Sequence, residues 1–268
     1  MRERVVAVTP GSHVALVGVW DPVSDAQVEF FRDAVSDAES RGLRVLVVTL
    51  EPDPVATLRG LRARPAFQDI EYRLWFQSQC GVQSRIVVGL TRQEVEEEGA
   101  SFLLDALRKH VRIDELLLRP GQSLGRGVGG SLSTIQECGR RMGMRVGVSN
   151  GYVGPVHIGE ARGHMVKGEL ARAGALLSQM FYCARPSSGE RTLPWPPGAY
   201  IAWPVEEPVS GEVQGRAPVE ITLTPCNDGS LLQWPKGAGR WLAFAAGPGD
   251  HRRSNSGWEA GDDLHRAR

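Results

Sequence analysis

The chain has few cysteines, almost no lysine and no net charge, and each shortage removes a class of function. Cys80, Cys138, Cys183 and Cys226 are the only thiols in 268 residues, and no CxxC pair or Cys/His ligand spacing joins them. Zinc needs such spacing, so no metal site is expected, and the thiols read as free, buried groups of a reducing cytoplasm. Lysine occurs only as Lys109, Lys167 and Lys236, and Lys plus Arg (31) balance Asp plus Glu (31). A neutral chain lacks the broad basic face that grips nucleic acid or a membrane surface. No stretch approaches the roughly 18 apolar residues that cross a bilayer. Met1-Arg-Glu-Arg-Val does not read as a secretory signal. Neither a Gly-x-x-x-x-Gly-Lys-Ser/Thr phosphate loop nor a Gly-x-Ser-x-Gly nucleophile turn occurs. What remains, 41% hydrophobic and 23% charged, is the balance of an ordinary soluble globular protein. Its oligomeric state stays open.

What is present alternates. Val14 to Val19 is apolar on both faces and predicts a buried parallel strand; Asp25 to Arg41 carries Val28, Phe31, Val35 and Ala38 at helical spacing and stops at Gly42. Leu43 to Leu50 predicts a second strand, Leu58 to Gln79 a helix, Val82 to Leu90 a strand and Gly99 to His110 a helix. Ile113 to Leu118 and Val146 to Ser149 predict further strands around a helix, Leu132 to Met142, that Ser131 can cap. Glu160 to Tyr182 reads as the last helical region. Strands and helices in alternation predict an α/β fold, a doubly wound, mostly parallel sheet over residues 1–186. Prolines and tryptophans crowd after Arg185, and Val219 to Thr224 and Arg240 to Phe244 predict a small C-terminal β module over 187–246. Residues 247–268 are polar and Gly-rich and read as a disordered tail.

Five segments in this order resemble one family. Gly18-Val-Trp-Asp21, Thr49-Leu-Glu-Pro-Asp-Pro54, Leu118-Arg-Pro-Gly-Gln-Ser-Leu-Gly125, Glu169-Leu-Ala-Arg-Ala-Gly174 with Ala184-Arg-Pro186, and Pro197-Gly-Ala-Tyr200 are similar to motifs of the bacterial bifunctional riboflavin kinase/FMN adenylyltransferases, the prokaryotic FAD synthetases. The resemblance covers roughly residues 10 to 245. It implies a nucleotidyltransferase-like, Rossmann-type domain whose ancestral reaction is FMN plus ATP to FAD plus pyrophosphate. It also implies ATP with magnesium at the first loop and flavin at the loop after Leu118.

The departures point away from the ancestral chemistry. The family's first loop continues Asp-Gly-x-His-x-Gly-His; here Asp21-Pro-Val-Ser-Asp-Ala-Gln27 puts Ser24 and Gln27 at the histidine positions. These side chains donate hydrogen bonds but supply no positive charge. The family's hydroxyl-rich second signature is replaced by Ala161 to Lys167, a loop whose Arg162, His164 and Lys167 can hold an anion or be plain solvated residues. The aromatics of the flavin loop are gone, so FMN or FAD as a ligand is left open. Gly125-Arg-Gly-Val-Gly-Gly130 matches a dinucleotide fingerprint in form but reads better as a glycine turn. The kinase metal-nucleotide segment is absent, so no riboflavin kinase activity is expected of Glu220, which can align with that module's base. Trp195, Trp203, Trp234 and Trp241 read as β-module core rather than pocket. From the resemblance, Asp21, Ser24 and Gln27 are the expected catalytic positions and Gly18, Trp20, Arg162, His164 and Lys167 the nucleotide-binding ones. Glu51, Asp53, Gln122, Gly125, Arg126 and Gly130 form the second-substrate loops. The readings that stand are a divergent nucleotidyltransferase, a repurposed enzyme of specialised metabolism using the same pocket, and a non-catalytic flavin- or nucleotide-binding protein.

Overall fold

The apolar run at Val14 becomes the centre of a sheet. In the structure, a computed structural model, the described residues are 2–51, 53–54, 57, 66–97, 99–124, 130–149, 157–177, 180–193, 195–206, 208, 217–226, 229–236 and 238–247. They fall into two units, Met1–Arg64 with Leu74–Gly154, and Pro65–Arg73 with Pro155–Arg268.

The first unit runs β1 (Arg2–Ala7), β2 (Ser12–Gly18), α1 (Asp25–Ser40), β3 (Arg44–Leu50), α2 (Ile70–Gln79, its first residues counted with the second unit), β4 (Ser84–Gly89), α3 (Arg92–Glu97), α4 (Gly99–Leu107), β5 (Arg112–Leu118), α5 (Leu132–Arg141) and β6 (Arg145–Val148). The sheet order is β1-β4-β3-β2-β5-β6, parallel except for β1, which pairs antiparallel to β4. Side chains alternate along each strand. Val14, Leu16, Val45 and Val47 cluster with Phe31, Ala34 and Ala38 of α1. Ala15, Val17, Leu46 and Val48 cluster with Leu103, Leu104 and Leu107 of α4 and Ile135 of α5. Both faces are therefore covered, which is why these strands are apolar throughout. Val14 to Val17 are at most 1% exposed, and each such Val or Leu side chain contributes about 1.5–3 kcal/mol. Helix α1 stops where the sequence predicts: Gly42 has φ +68°, and the Leu43 and Gly42 N–H groups donate to Ala38 O and Glu39 O, a left-handed termination that glycine adopts without strain.

Three expectations change. β1 was not foreseen, because its side chains are exposed on both faces from Arg2 to Val6 and so leave no periodic apolar signal. The helix expected over Leu58 to Gln79 is not continuous: 66–69 are not helical and α2 begins at Ile70, where the Asp69 carboxylate accepts the Glu71 N–H at 3.0 Å; 58–65 lie outside the described residues. The helical region expected to reach Tyr182 ends earlier. It is α6 (Ile158–Val166) and α7 (Leu170–Leu177), broken at Gly168 (φ +75°), and Tyr182 belongs to β7 (Phe181–Ala184).

The second unit continues with β8 (Glu190–Leu193), β9 (Gly198–Val205), β10 (Val219–Cys226), β11 (Gly229–Gln233) and β12 (Trp241–Ala246). Its antiparallel sheet has the order β7-β12-β9-β10-β11-β8. Trp195 and Trp241 are 4% and 3% exposed, and the Trp195 ring meets Phe244 edge-on at 4.9 Å. Asp69, buried in this unit, accepts from Ala184 N (3.0 Å) and from Arg191 (2.6 Å). Burial pushes its carboxyl up, and Arg191 and the two amides oppose that. Residues 248–268, the expected tail, lie outside the described residues.

Candidate functional site

In the first unit β3 and β4 follow one another to one side of β2, whereas β5 and β6 lie on the other. Ligands of open α/β sheets bind at the carboxyl ends of the strands where the order reverses. Here that point is the crevice beside Gly18 of β2 and Leu118 of β5.

Trp20 shapes its floor. Its backbone is left-handed, φ +56°, which turns the indole back over Gly18. A Cβ on Gly18 would stand 3.0 Å from Trp20 Cε2, so any larger residue there crowds the indole. Trp20 Nε1 donates to Val48 O (3.0 Å), and the ring lies 5.0 Å from Phe31 and 6.0 Å from Phe30. At 2% exposure the indole is part of the core.

Ser24 is the N-cap residue of α1, extended at φ −146°, ψ 163°, and its hydroxyl makes no capping bond. Its carbonyl accepts from Gln27 N (2.9 Å) and Val28 N (3.0 Å). Ser24 is 9% and Gln27 3% exposed, and Ser24 Oγ and Gln27 Oε1 have no hydrogen-bond partner. Buried polar atoms of this kind cost about 1–3 kcal/mol each unless something satisfies them. The helix start thus combines backbone N–H groups, the positive end of the dipole and two neutral side chains. Asp21 is partly buried in the same loop.

The β5 loop has a different logic from the one expected. Arg119-Pro120-Gly121-Gln122 closes with Gln122 N to Arg119 O (3.0 Å) and Gly121 at φ +71°, the geometry of a type II turn. Gln122 Oε1 accepts from Arg119 N (3.0 Å), and Gln122 Nε2 donates to Val17 O (2.6 Å). Gln122 therefore ties the β5 turn to the end of β2. The Arg119 guanidinium lies over the Trp20 ring, 5.1 Å from its centroid. A cleft of about 270 Å³ opens here, lined among others by Leu118, Arg119, Gln122, Ser131, Leu132 and Val148. Ser131 caps α5, accepting Thr134 N at 3.3 Å, as its sequence position predicts. Gly130 borders the cleft, while Gly125 and Arg126 lie outside the described residues. At the end of β3, Glu51 N donates to Val88 O (3.0 Å) and Asp53 O accepts Thr57 N (3.1 Å), with both residues partly buried.

The expected second anion loop belongs to the other unit and forms a helix. Nothing interrupts Ile158–Val166 before Lys167 and Gly168, so Arg162 and His164 stand on α6. Arg162 covers the Phe67 ring at 4.3 Å, and His164 pairs with Glu169, holding that carboxyl below the usual range. Lys167 is exposed. Glu220 is exposed on β10. Among the described residues no group of three or more His, Cys, Asp or Glu is placed to hold a metal ion, and no helix is long and apolar enough to cross a membrane. All four cysteines are free, and burial pushes the Cys80 thiol up to about 11.

Reasoning from the sequence did not single out Arg119, which the structure places over the Trp20 ring.

A sequence model of the family described as FAD synthetase matches residues 8–158. The bifunctional riboflavin kinases/FMN adenylyltransferases of Escherichia coli K12 and Shigella flexneri are each 24% identical over 171 residues, 63% of this chain. The match spans 55% of their length, about half of each relative. A crystal structure described as a macrolide-efflux protein from Streptococcus pneumoniae aligns with TM-score 0.59 at 14% identity, covering 97% of this chain and 92% of that one. At that identity the likeness is one of fold. With its family match over more than half its residues, the chain belongs to the FAD synthetase family.

Proposed function

We propose that this protein keeps the nucleotidyltransferase-like frame of its family as a binding site for a phosphorylated small molecule at the start of α1, and that it does not make FAD at a working rate. The carrying observation is the α1 start itself: backbone amides beside a buried Ser24 hydroxyl that no protein group satisfies and that can donate to an anion. Such a terminus favours an anion. Adenylyl transfer asks for more. As a phosphate oxygen of FMN attacks the α-phosphorus of ATP and pyrophosphate leaves, negative charge grows on the leaving oxygens. Residues 18–27 contain no Lys, Arg or His to meet it. Loss of one well-placed donor costs about a hundredfold to a thousandfold in rate.

The other half-reaction is also poorly served. The cleft residues are aliphatic, polar or Arg119, with no aromatic ring to stack on an isoalloxazine. Magnesium would arrive with a triphosphate, since the described residues offer no carboxylate cluster of their own. The β module over 187–246 reads as a riboflavin-kinase-like remnant without kinase activity.

The test incubates the full chain with Mg-ATP and FMN and follows FAD and pyrophosphate by mass spectrometry, with a thermal-shift titration in parallel. We expect no enzymatic FAD and a raised Tm with a nucleoside triphosphate, about 2.7 kcal/mol of stabilisation at a hundred times Kd. FAD formed at many turnovers would overturn the loss of activity. No shift with any phosphorylated ligand would overturn the site.

A further inference from the structure

The start of α1 asks for a donor as well as an acceptor. Ser24 is 9% and Gln27 3% exposed, and neither Ser24 Oγ nor Gln27 Oε1 has a hydrogen-bond partner. The two residues bracket the first turn, where the Gln27 and Val28 amides already donate to Ser24 O (2.9 and 3.0 Å). A serine hydroxyl can donate to an anionic oxygen, but an amide oxygen only accepts. A fully ionised phosphate would set lone pairs against Gln27 Oε1 and leave that buried acceptor unsatisfied. The charge balance points the same way. Residues 18–27 contain Asp21 and Asp25 and no Lys, Arg or His, and a helix terminus contributes only about half an elementary charge. Such a place holds one negative charge better than two. A phosphate monoester that keeps one proton meets both conditions. It carries a single charge, and it presents an acceptor oxygen and a P–OH donor on the same phosphorus. Phosphodiesters and the internal phosphates of a chain lack that proton.

We infer that the α1 start takes a terminal phosphate in its singly protonated form, with Ser24 Oγ donating to an ionised oxygen and Gln27 Oε1 accepting the P–OH. The inference rests on the α1 reading under Proposed function and narrows its ligand to a phosphate monoester or the end phosphate of a chain. A sulfate monoester, similar in shape and singly charged, has no proton to give Gln27 and is a poor ligand. The ionisable groups at this end of the sheet are Asp21, Asp25 and Glu29 on the segment itself, Glu51 and Asp53 after β3, and Arg119 after β5.

The test measures binding of methyl phosphate and methyl sulfate to the full chain by calorimetry at pH 5.5 and pH 8, at constant ionic strength. A phosphate monoester loses its second proton near pH 6. Methyl sulfate stays a proton-free monoanion throughout, so it reports any change in the side chains just named. At pH 5.5 methyl phosphate should bind about tenfold tighter than methyl sulfate, the scale of one hydrogen bond. That advantage should be gone at pH 8. Gln27→Met, close in shape and without the amide oxygen, should bring methyl phosphate down to the methyl sulfate level at pH 5.5. Ser24→Ala should weaken both ligands. Equal affinity for the two ligands at pH 5.5, or tighter methyl phosphate binding at pH 8 than at pH 5.5, would overturn this inference and leave the α1 reading standing. A preference for phosphate that survives Gln27→Met would overturn it too. No binding of either ligand to the unaltered chain would overturn both.

Discussion

Replacing Trp20 separates packing from hydrogen bonding at the floor of the crevice. The side chain is 2% exposed, contacts Phe30 and Phe31 and donates to Val48 O. Trp20→Ala removes the whole indole from a packed cluster, a change that costs about 3–5 kcal/mol. It also strips Val48 O of a donor, adding about 1 kcal/mol. Alanine keeps a Cβ, so the left-handed backbone at φ +56° is not relieved. Trp20→Phe retains most of the ring contact and loses mainly the indole N–H, for about 1–2 kcal/mol. The gap between the two variants, about 2–5 kcal/mol, is the packing share. Urea unfolding of the full chain, followed by far-UV circular dichroism, measures both. At roughly 3 °C per kcal/mol, Trp20→Ala should melt about 12–18 °C lower. If Trp20→Ala lies within 1 kcal/mol of the unaltered protein, or the two variants coincide, the indole is not the core element described above.

Two further outcomes follow from buried polar groups. His13 is 1% exposed; its Nδ1 faces Arg112 O (3.2 Å), which only accepts, so Nδ1 carries the proton and Nε2 accepts the Ser84 hydroxyl (2.9 Å). Burial lowers its pKa, so the folded state prefers the neutral ring while the unfolded chain protonates near 6.5. The stability it contributes is present above pH about 6.5 and lost as pH falls below it, by at most about 1.4 kcal/mol per pH unit. The difference in urea midpoint between pH 7.5 and pH 5 should shrink in His13→Gln, and an unchanged difference would refute the assignment. In the second unit, Asp69→Ala strands Arg191 and two backbone N–H groups. It should destabilise by about 3–5 kcal/mol, and a loss under 1 kcal/mol by the same unfolding assay would contradict it.

The sequence by itself determined the elements whose cause is local. Apolar runs at Val14 and Leu43, the helical spacing of α1, the glycine stop at Gly42 and the Ser131 cap all act within a few residues, where sterics and backbone hydrogen bonds dominate. The motif order likewise carried the family. Tertiary structure decided what depends on distant neighbours. Ser24 occupies the N-cap position, yet burial rather than capping sets its hydroxyl. Trp20 was expected at the nucleotide, and the side chains of α1 draw it into the core. Gln122, expected at the second substrate, also bridges to Val17, 105 residues earlier. β1 exists because β4 offers it an edge, and the second sheet has six strands where local patterns suggested two. Arg119 meets the Trp20 ring only because the sheet order sets β5 beside β2. Charge, burial and pairing across that distance depend on which strands become neighbours, and a linear reading of side chains does not contain that choice.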